Sequence, residues 1–299
     1  MLQGFMVVHG GVDMPPTDRA VNSLENAALR GLQAPADGLA AVVAALEVLE
    51  NDPQFNAGFG SVLNASALVE VDAGIVDGTS GRIGAVGAVP GLRHPSRVAA
   101  ALLRGEGKAV FLTGSGAREF AERIGEGYED LRTAEQVAVW EAMQRGEDLS
   151  PFTGAALASN TETVGAIASR NGELIAGTST GGVCGKPVGR LGDSAIFGAG
   201  HWANSEIAVL CSGDGEALIR SQAASRVGAR IQMGHSPQDS VNLGVETVHA
   251  ETGATCAIVA VHAPSGAVAA AHNGFAFPVV KASDSDVFVV PAERIAESS

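Results

Sequence analysis

A threonine hydroxyl attacks a carbonyl efficiently only when a base takes its proton, and one stretch of this chain has a layout that could supply that base. In "ASNTETVGAIASRNGELIAGTSTGG", residues 158–182, a polar, turn-rich approach ends at Thr163 and an apolar strand pattern begins there. A threonine opening a strand is most often there for its β-propensity. It becomes a nucleophile if the chain is cut between Glu162 and Thr163, because the freed α-amine titrates at about 7.7–8.0 and can act as the base. The unpatterned segment before Thr163 would tolerate a cut, and the strand after it would hold the new terminus still. "TSTGG" then places Thr178, Ser179 and Thr180 at the far end of the same expected hairpin. Antiparallel pairing returns Thr180 or Thr178 to the neighbourhood of Thr163, although Ser and Thr also close loops for purely local reasons.

Two further clusters could complete a site. In "GRLGDS", Arg190 and Asp193 are opposite charges between glycines. They suit a zwitterion, guanidinium to α-carboxylate and carboxylate to α-ammonium, or else an ion pair that pins a loop. In "CSGDGE", Ser212 and Gly213 stand at a strand end before a helix. A hydroxyl and a backbone N–H there could stabilise an oxyanion, or simply begin the helix. Phosphate loops fit poorly. "TGGVCGKP" has Thr180 where the first glycine of a P-loop belongs and Pro187 where Ser or Thr must follow the lysine. "GAGHWA" lacks the third glycine of a dinucleotide fingerprint.

The elements that would position these groups alternate in blocks. "GFMVVHGGV" reads as a buried strand ending in a glycine turn, and "ADGLAAVVAALEVLE" as a helix with Asp37 as N-cap. "NDPQFNAGFGS" is a loop by composition. "ALVEVDAGIVDG" and "IGAVGAV" are strands, "HPSRVAAALLRG" a helix, "KAVFLTG" a strand, and "AREFAERIG" and "TAEQVAVWEAMQRG" helices. After Thr163 come a hairpin turned at "RNG", a strand "EIAVLCSG", one helix over "GEALIRSQAASRVGARIQ", and a second hairpin turned at "PSG". Antiparallel sheets packed between helices are the expected class.

Composition agrees with a compact layered fold. The chain has 299 residues, 46% hydrophobic and 17% charged, with 39 glycines and 4% aromatics. A net charge of −14 argues against nucleic acid and anionic membrane as partners. No apolar run approaches the ~18–20 residues of a membrane span, and the N-terminal residues carry no signal-peptide pattern. Three cysteines, Cys184, Cys211 and Cys256, form no CxxC or disulfide framework, which suits a reducing, cytoplasmic setting. The seven histidines are scattered and read mainly as turn or surface residues.

Taken together, "TVGAIASRNGELIAGTSTGG…GRLGDSAIFGAGHWA" closely resembles the plant-type L-asparaginase and isoaspartyl peptidase family of N-terminal nucleophile hydrolases. The likeness runs through "VVHGGV", "LENDPQFNAGFGSVLN", "VDAGIVDG", "HPSRVA", "CSGDGE" and "AHNGFAFPVVKA", nearly the whole chain. It implies an α+β, four-layer αββα sandwich. One domain would be made as a precursor and cut into an α chain, 1–162, with a linker over about 147–162, and a β chain, 163–299. The two chains would stay together and pair as a homodimer. By motif, Thr163 would be the nucleophile and base, Thr180 its assistant, and Asn56 the residue orienting the site from the α chain. Arg190 and Asp193 would hold the substrate's α-carboxylate and α-amino group, with Ser212, Gly213 and Gly215 around it. No cofactor is implied for catalysis. A structural sodium ion on the carbonyls of Leu49, Glu50, Asp52, Phe55, Ala57 and Phe59 is. The resemblance implies release of L-aspartate from isoaspartyl dipeptides and L-asparagine through an acyl-enzyme.

Two departures stand out. The residues ending at the nucleophile are "TET", whereas the family often has "HGT", and "CSGDGE" has Ser212 where threonine is common and Asp214 where threonine or histidine is common. The competing readings are a glycosylasparaginase-like amidase and an unprocessed, non-catalytic homologue that binds rather than hydrolyses.

Overall fold

The computed structural model describes residues 4–35, 37–106, 108–149 and 162–296. In chain order the elements begin with β1 (Phe5–His9), α1 (Asp18–Gln33), α2 (Gly38–Asn51), β2 (Glu70–Asp77) and β3 (Arg82–Pro90). The first half continues with α3 (Pro95–Leu103), β4 (Phe111–Thr113), α4 (Gly114–Arg123) and α5 (Ala134–Gln144). The second half runs β5 (Val164–Arg170), β6 (Glu173–Thr180), β7 (His201–Ala203), β8 (Ile207–Gly213), α6 (Gly215–Ser221), α7 (Ala223–Gln232) and α8 (Pro237–Thr252). It closes with β9 (Cys256–His262), β10 (Ala267–His272), β11 (Val279–Ser283), β12 (Val287–Val290) and β13 (Glu293–Arg294). The linker expected over 147–162 lies outside the described residues except for its ends.

Two sheets stack face to face, an eight-stranded one in the order β12-β11-β1-β5-β6-β2-β3-β4 and a five-stranded one in the order β13-β10-β9-β8-β7. Period-2 alternation along the strands divides the core into three apolar layers. In β1, Met6 and Val8 face α1 and α2, while Phe5 and Val7 face the other sheet. In β8, Ala208 and Leu210 join that inter-sheet layer, and Val209 and Cys211 face α7 and α8. The result is the expected helix, sheet, sheet, helix sandwich.

Several details depart from the sequence reading. The expected single helix over "GEALIRSQAASRVGARIQ" breaks at Gln222, whose φ of 51° and ψ of 45° put it in the left-handed region between α6 and α7. Helices α1 and α8 were not anticipated. Asp37 does cap α2, accepting from the Leu39 amide. The "RNG" turn is as expected, with Asn171 and Gly172 both at positive φ, as a tight two-residue hairpin loop requires. Three of the seven histidines are buried, His9, His201 and His272, whereas His94, His249 and His262 are half-buried and His235 is exposed.

Candidate active site

The β5–β6 register sets the site. Val164 faces Ser179 and Gly165 faces Thr178, so Thr163 stands just beyond the paired strands, beside Thr180. The same alternation decides which hydroxyls converge. Leu174 and Ala176 of β6 belong to the inter-sheet layer, so Thr178 and Thr180 share that face, whereas Ser179 points back to α2 and donates to Glu50 Oε1 at 2.8 Å. Ser212 has the phase of Leu210 on β8 and enters the inter-sheet space from the opposite sheet. The site is therefore where the ends of β5, β6 and β8 meet between the sheets.

Glu162 and Thr163 are both buried there. The Glu162 carbonyl, which belongs to the bond expected to be cut, accepts from Thr180 Oγ1 at 2.9 Å and from Asn56 Nδ2 at 3.3 Å. Asn56 is locked in place: its Nδ2 also donates to Gly182 O at 2.7 Å, and its Oδ1 accepts from the Val62 amide at 3.1 Å. Thr180 Oγ1 in turn accepts from the Gly182 amide at 3.0 Å. Two fixed donors on one carbonyl oxygen stabilise the negative charge that develops there on attack.

The Thr163 nitrogen donates to Ser212 Oγ at 3.2 Å, and the Val12 amide donates to the same oxygen at 3.0 Å. Thr163 Oγ1 lies 3.3 Å from Ser194 Oγ. Thr178, the alternative partner of Thr163, instead donates to Ser194 O at 3.0 Å. Gly11, at φ 107°, permits a close backbone approach: a Cβ there would stand 3.1 Å from Glu162 Cα and from the Thr163 nitrogen. Burial pushes the His9 imidazole down to about 3, with its contact to the Thr163 backbone opposing, so this ring beside the nucleophile is neutral.

Arg190 and Asp193 both reach the site but are not each other's partners. Among the described residues Arg190 makes its ion pair with Glu216. Asp193 Oδ2 is buried and has no hydrogen-bond partner among the described residues. Burial pushes the Asp193 carboxyl up to about 7, against the pull of the Arg190 charge. Gly213, at φ 142°, ends β8, and Gly215 opens α6 with no side chain to intrude between Arg190 and Asp193.

Three supporting residues escaped the sequence reading. Asp72 stands at a bulge of the β2–β3 pair, where Oδ1 accepts from the Ala88 amide at 2.7 Å and Oδ2 from the Gly192 amide at 2.9 Å. It thereby anchors the loop that carries Arg190 and Asp193, and two carboxylates, Glu70 and Asp72, inside the otherwise apolar run "VEVDAGIV" were the available signal. Buried Lys186 donates from Nζ to Glu70 O at 2.9 Å, and burial lowers its pKa. Ser194, next to Asp193, touches the nucleophile only through the fold.

A family model described as asparaginase matches residues 3–287. The chain belongs to the asparaginase family. Among its relatives, the mouse isoaspartyl peptidase/L-asparaginase is 35% identical over 256 residues, covering 81% of this chain and 76% of the relative. The plant-type L-asparaginase of Pyrococcus horikoshii is 34% identical over 255 residues, 80% of this chain and 83% of the relative. The human isoaspartyl peptidase/L-asparaginase is 34% identical over 253 residues, 81% of each chain. This asparaginase-family chain thus shares with them most of its length. Among its described residues no helix is long and apolar enough to cross a membrane.

Proposed function

We propose that this asparaginase-family chain is an autoprocessing threonine hydrolase that releases L-aspartate from isoaspartyl dipeptides and L-asparagine. The observation that carries the reading is the seating of the Glu162 carbonyl on Thr180 Oγ1 and Asn56 Nδ2, directly before a buried Thr163. In processing, Thr163 Oγ1 attacks that carbonyl carbon, the bond to the Thr163 nitrogen breaks, and water hydrolyses the resulting ester. The nitrogen becomes a free amine next to Ser212 Oγ.

In turnover that amine takes the Thr163 hydroxyl proton, and Oγ1 attacks the side-chain carbonyl of the bound aspartyl group. The proton passes to the leaving amine or ammonia. Water then cleaves the acyl-enzyme and aspartate departs. Arg190 is assigned to the α-carboxylate, Asp193 Oδ2, unpartnered among the described residues, to the α-ammonium, and Ser212 with Gly213 to the developing oxyanion.

The proposal extends to a sodium ion on the backbone carbonyls of Leu49, Glu50, Asp52, Phe55, Ala57 and Phe59, since hard cations take oxygen ligands. The loop suits this. Gly58, at φ 53°, brings the Glu50 and Arg93 carbonyl oxygens within 2.4 Å of where its Cβ would stand. The Leu49, Asp52, Phe55 and Ala57 carbonyls each accept one backbone N–H, leaving a second lone pair. The ion would steady the loop that carries Asn56, and a higher melting temperature in sodium than in choline chloride would register it. A homodimer of processed pairs in a cytoplasmic setting completes the proposal, and sedimentation tests the dimer.

Intact-mass spectrometry after incubation at neutral pH decides the central claim. Two masses dividing the chain between Glu162 and Thr163 are expected, and a single uncut mass overturns it. Turnover of L-asparagine, a β-aspartyl dipeptide and a glycosyl-asparagine then ranks the substrates, and preference for the last would favour the glycosylasparaginase-like reading.

A further inference from the structure

This inference rests on the assignment of Arg190 and Asp193 to the substrate's two charges. The Arg190 fork is already filled by a carboxylate from the chain itself: Nε donates to Glu216 Oε1 at 2.8 Å and Nη2 to Glu216 Oε2 at 2.5 Å. That two-point pairing is the one an α-carboxylate would make. The Arg190 side chain is 10% exposed and that of Glu216 61%, so Glu216 lies on the solvent side of the guanidinium. Space around the pair is kept clear by glycines. A Cβ at Gly192 would stand 3.0 Å from Arg190 Nη1, and one at Gly215 would stand 2.8 Å from Nη2 and 3.2 Å from Asp193 Oδ1.

Glu216, Asp72 and the buried Asp193 all act on the Arg190 charge, with the buried Lys186 as a second cation nearby. Of these carboxylates Glu216 fills the fork, while Asp193 Oδ2 is unpartnered among the described residues. A ligand bearing only a carboxylate would exchange one anion for another on Arg190 and gain little. A ligand that also bears an ammonium gains the Asp193 contact as well.

We propose that Glu216 is a specificity-determining gate, a carboxylate that stands in for the substrate's on Arg190 and yields the fork only to a ligand carrying both an α-carboxylate and an α-ammonium. Glu216 thereby screens against plain dicarboxylates and raises the concentration at which amino-acid substrates saturate. Its position in the first turn of α6, largely in solvent, makes its replacement compatible with folding.

The test uses the full chain after processing, as wild type, Glu216→Gln and Glu216→Ala. The rate of cleavage before Thr163, read by mass, reports whether each variant folds. With the carboxylate removed, the KM for L-asparagine is expected to fall several-fold, with kcat changing less than KM. The inhibition constant of succinate, which is aspartate without its ammonium, is expected to fall about tenfold, the weight of a charged hydrogen-bonded pair. L-aspartate should gain less than succinate, so the ratio between the two inhibitors narrows. A higher KM in both variants would mean that Glu216 orients Arg190 for substrate, and an unchanged succinate constant would mean that it excludes nothing. Either result overturns the gate while leaving the hydrolase reading intact. Failure of the wild type to hydrolyse L-asparagine would instead remove that reading.

Discussion

A buried carboxylate oxygen without a hydrogen-bond partner is costly unless something cationic arrives, and Asp193 Oδ2 is in that position among the described residues. Burial pushes its carboxyl up to about 7, and a bound ammonium would favour the ionised form. Binding therefore expels a proton at lower pH, and affinity is lost as pH falls through the free-state value. The KM for L-asparagine is expected to rise as pH drops below about 7, and Asp193→Asn, read in the same pH–KM profile, should be weak throughout with the slope gone. The limb of kcat should differ, because it follows the Thr163 amine, which must be neutral and titrates at about 7.7–8.0. Thr180 offers a separate test. Removing its hydroxyl in Thr180→Ala strips one of two donors from the Glu162 carbonyl, and processing is expected to slow by ~10²–10³-fold, measured as the half-time of cleavage. Thr163→Ala should neither cleave nor turn over. An active, uncut Thr163→Ala protein would defeat the mechanism.

At the scale of elements, the site hangs on how α2, α3 and β6 are tied together. Glu50, at the end of α2, accepts from the Ser96 amide at 3.1 Å, from Ser96 Oγ at 2.8 Å and from Ser179 Oγ at 2.8 Å. Glu50→Ala would leave these buried donors without their acceptor, and a loss of about 2–4 kcal/mol is expected in denaturant unfolding. The pH sign is also set. Burial raises the Glu50 carboxyl from 4.5 to about 7, so the folded chain holds that proton longer than the unfolded one. Its contribution to stability is therefore greatest below the unfolded value and declines as pH rises to about 7. The same scale shows what pattern reading catches. Asp37 and the "RNG" turn are local devices and were legible. Helix α1 was missed because its buried face is Ala20, Leu24, Ala27, Ala28 and Gly31, of which only Leu24 is a large apolar residue. Helix α8 carried its signs openly in the Ser236 cap, Pro237 in its first turn, Val241, Val245 and Val248 at helical spacing, and Gly253 at its end. The break at Gln222 had no such sign, since glutamine is a helix former forced into left-handed geometry by the packing of α6 and α7.

For the whole molecule, the expected cut would not divide the fold. Strand β1, from the part before Thr163, lies between β5 and β11 from the part after it, and β2 pairs with β6. Separating the two pieces would require breaking all three of these pairings and the inter-sheet layer together. After cleavage they are expected to elute together in size exclusion under native conditions and to unfold in one calorimetric transition. Two transitions, or a free piece, would contradict this interleaving.

The sequence by itself determined the hydroxyl-bearing hairpin, the charge pair at 190 and 193, the layered class and the family. Each of these is written in local periodicity, turn chemistry or a contiguous motif. Only the tertiary structure decided that Thr180 rather than Thr178 meets the Glu162 carbonyl, because strand register selects between residues of the same face. Only it showed Arg190 paired with Glu216 instead of Asp193, and Asp72 and Ser194 as supports of the site. Those contacts join segments 16 to 120 residues apart, and partnership across such distances follows from how the sheets stack rather than from the order of residues along the chain.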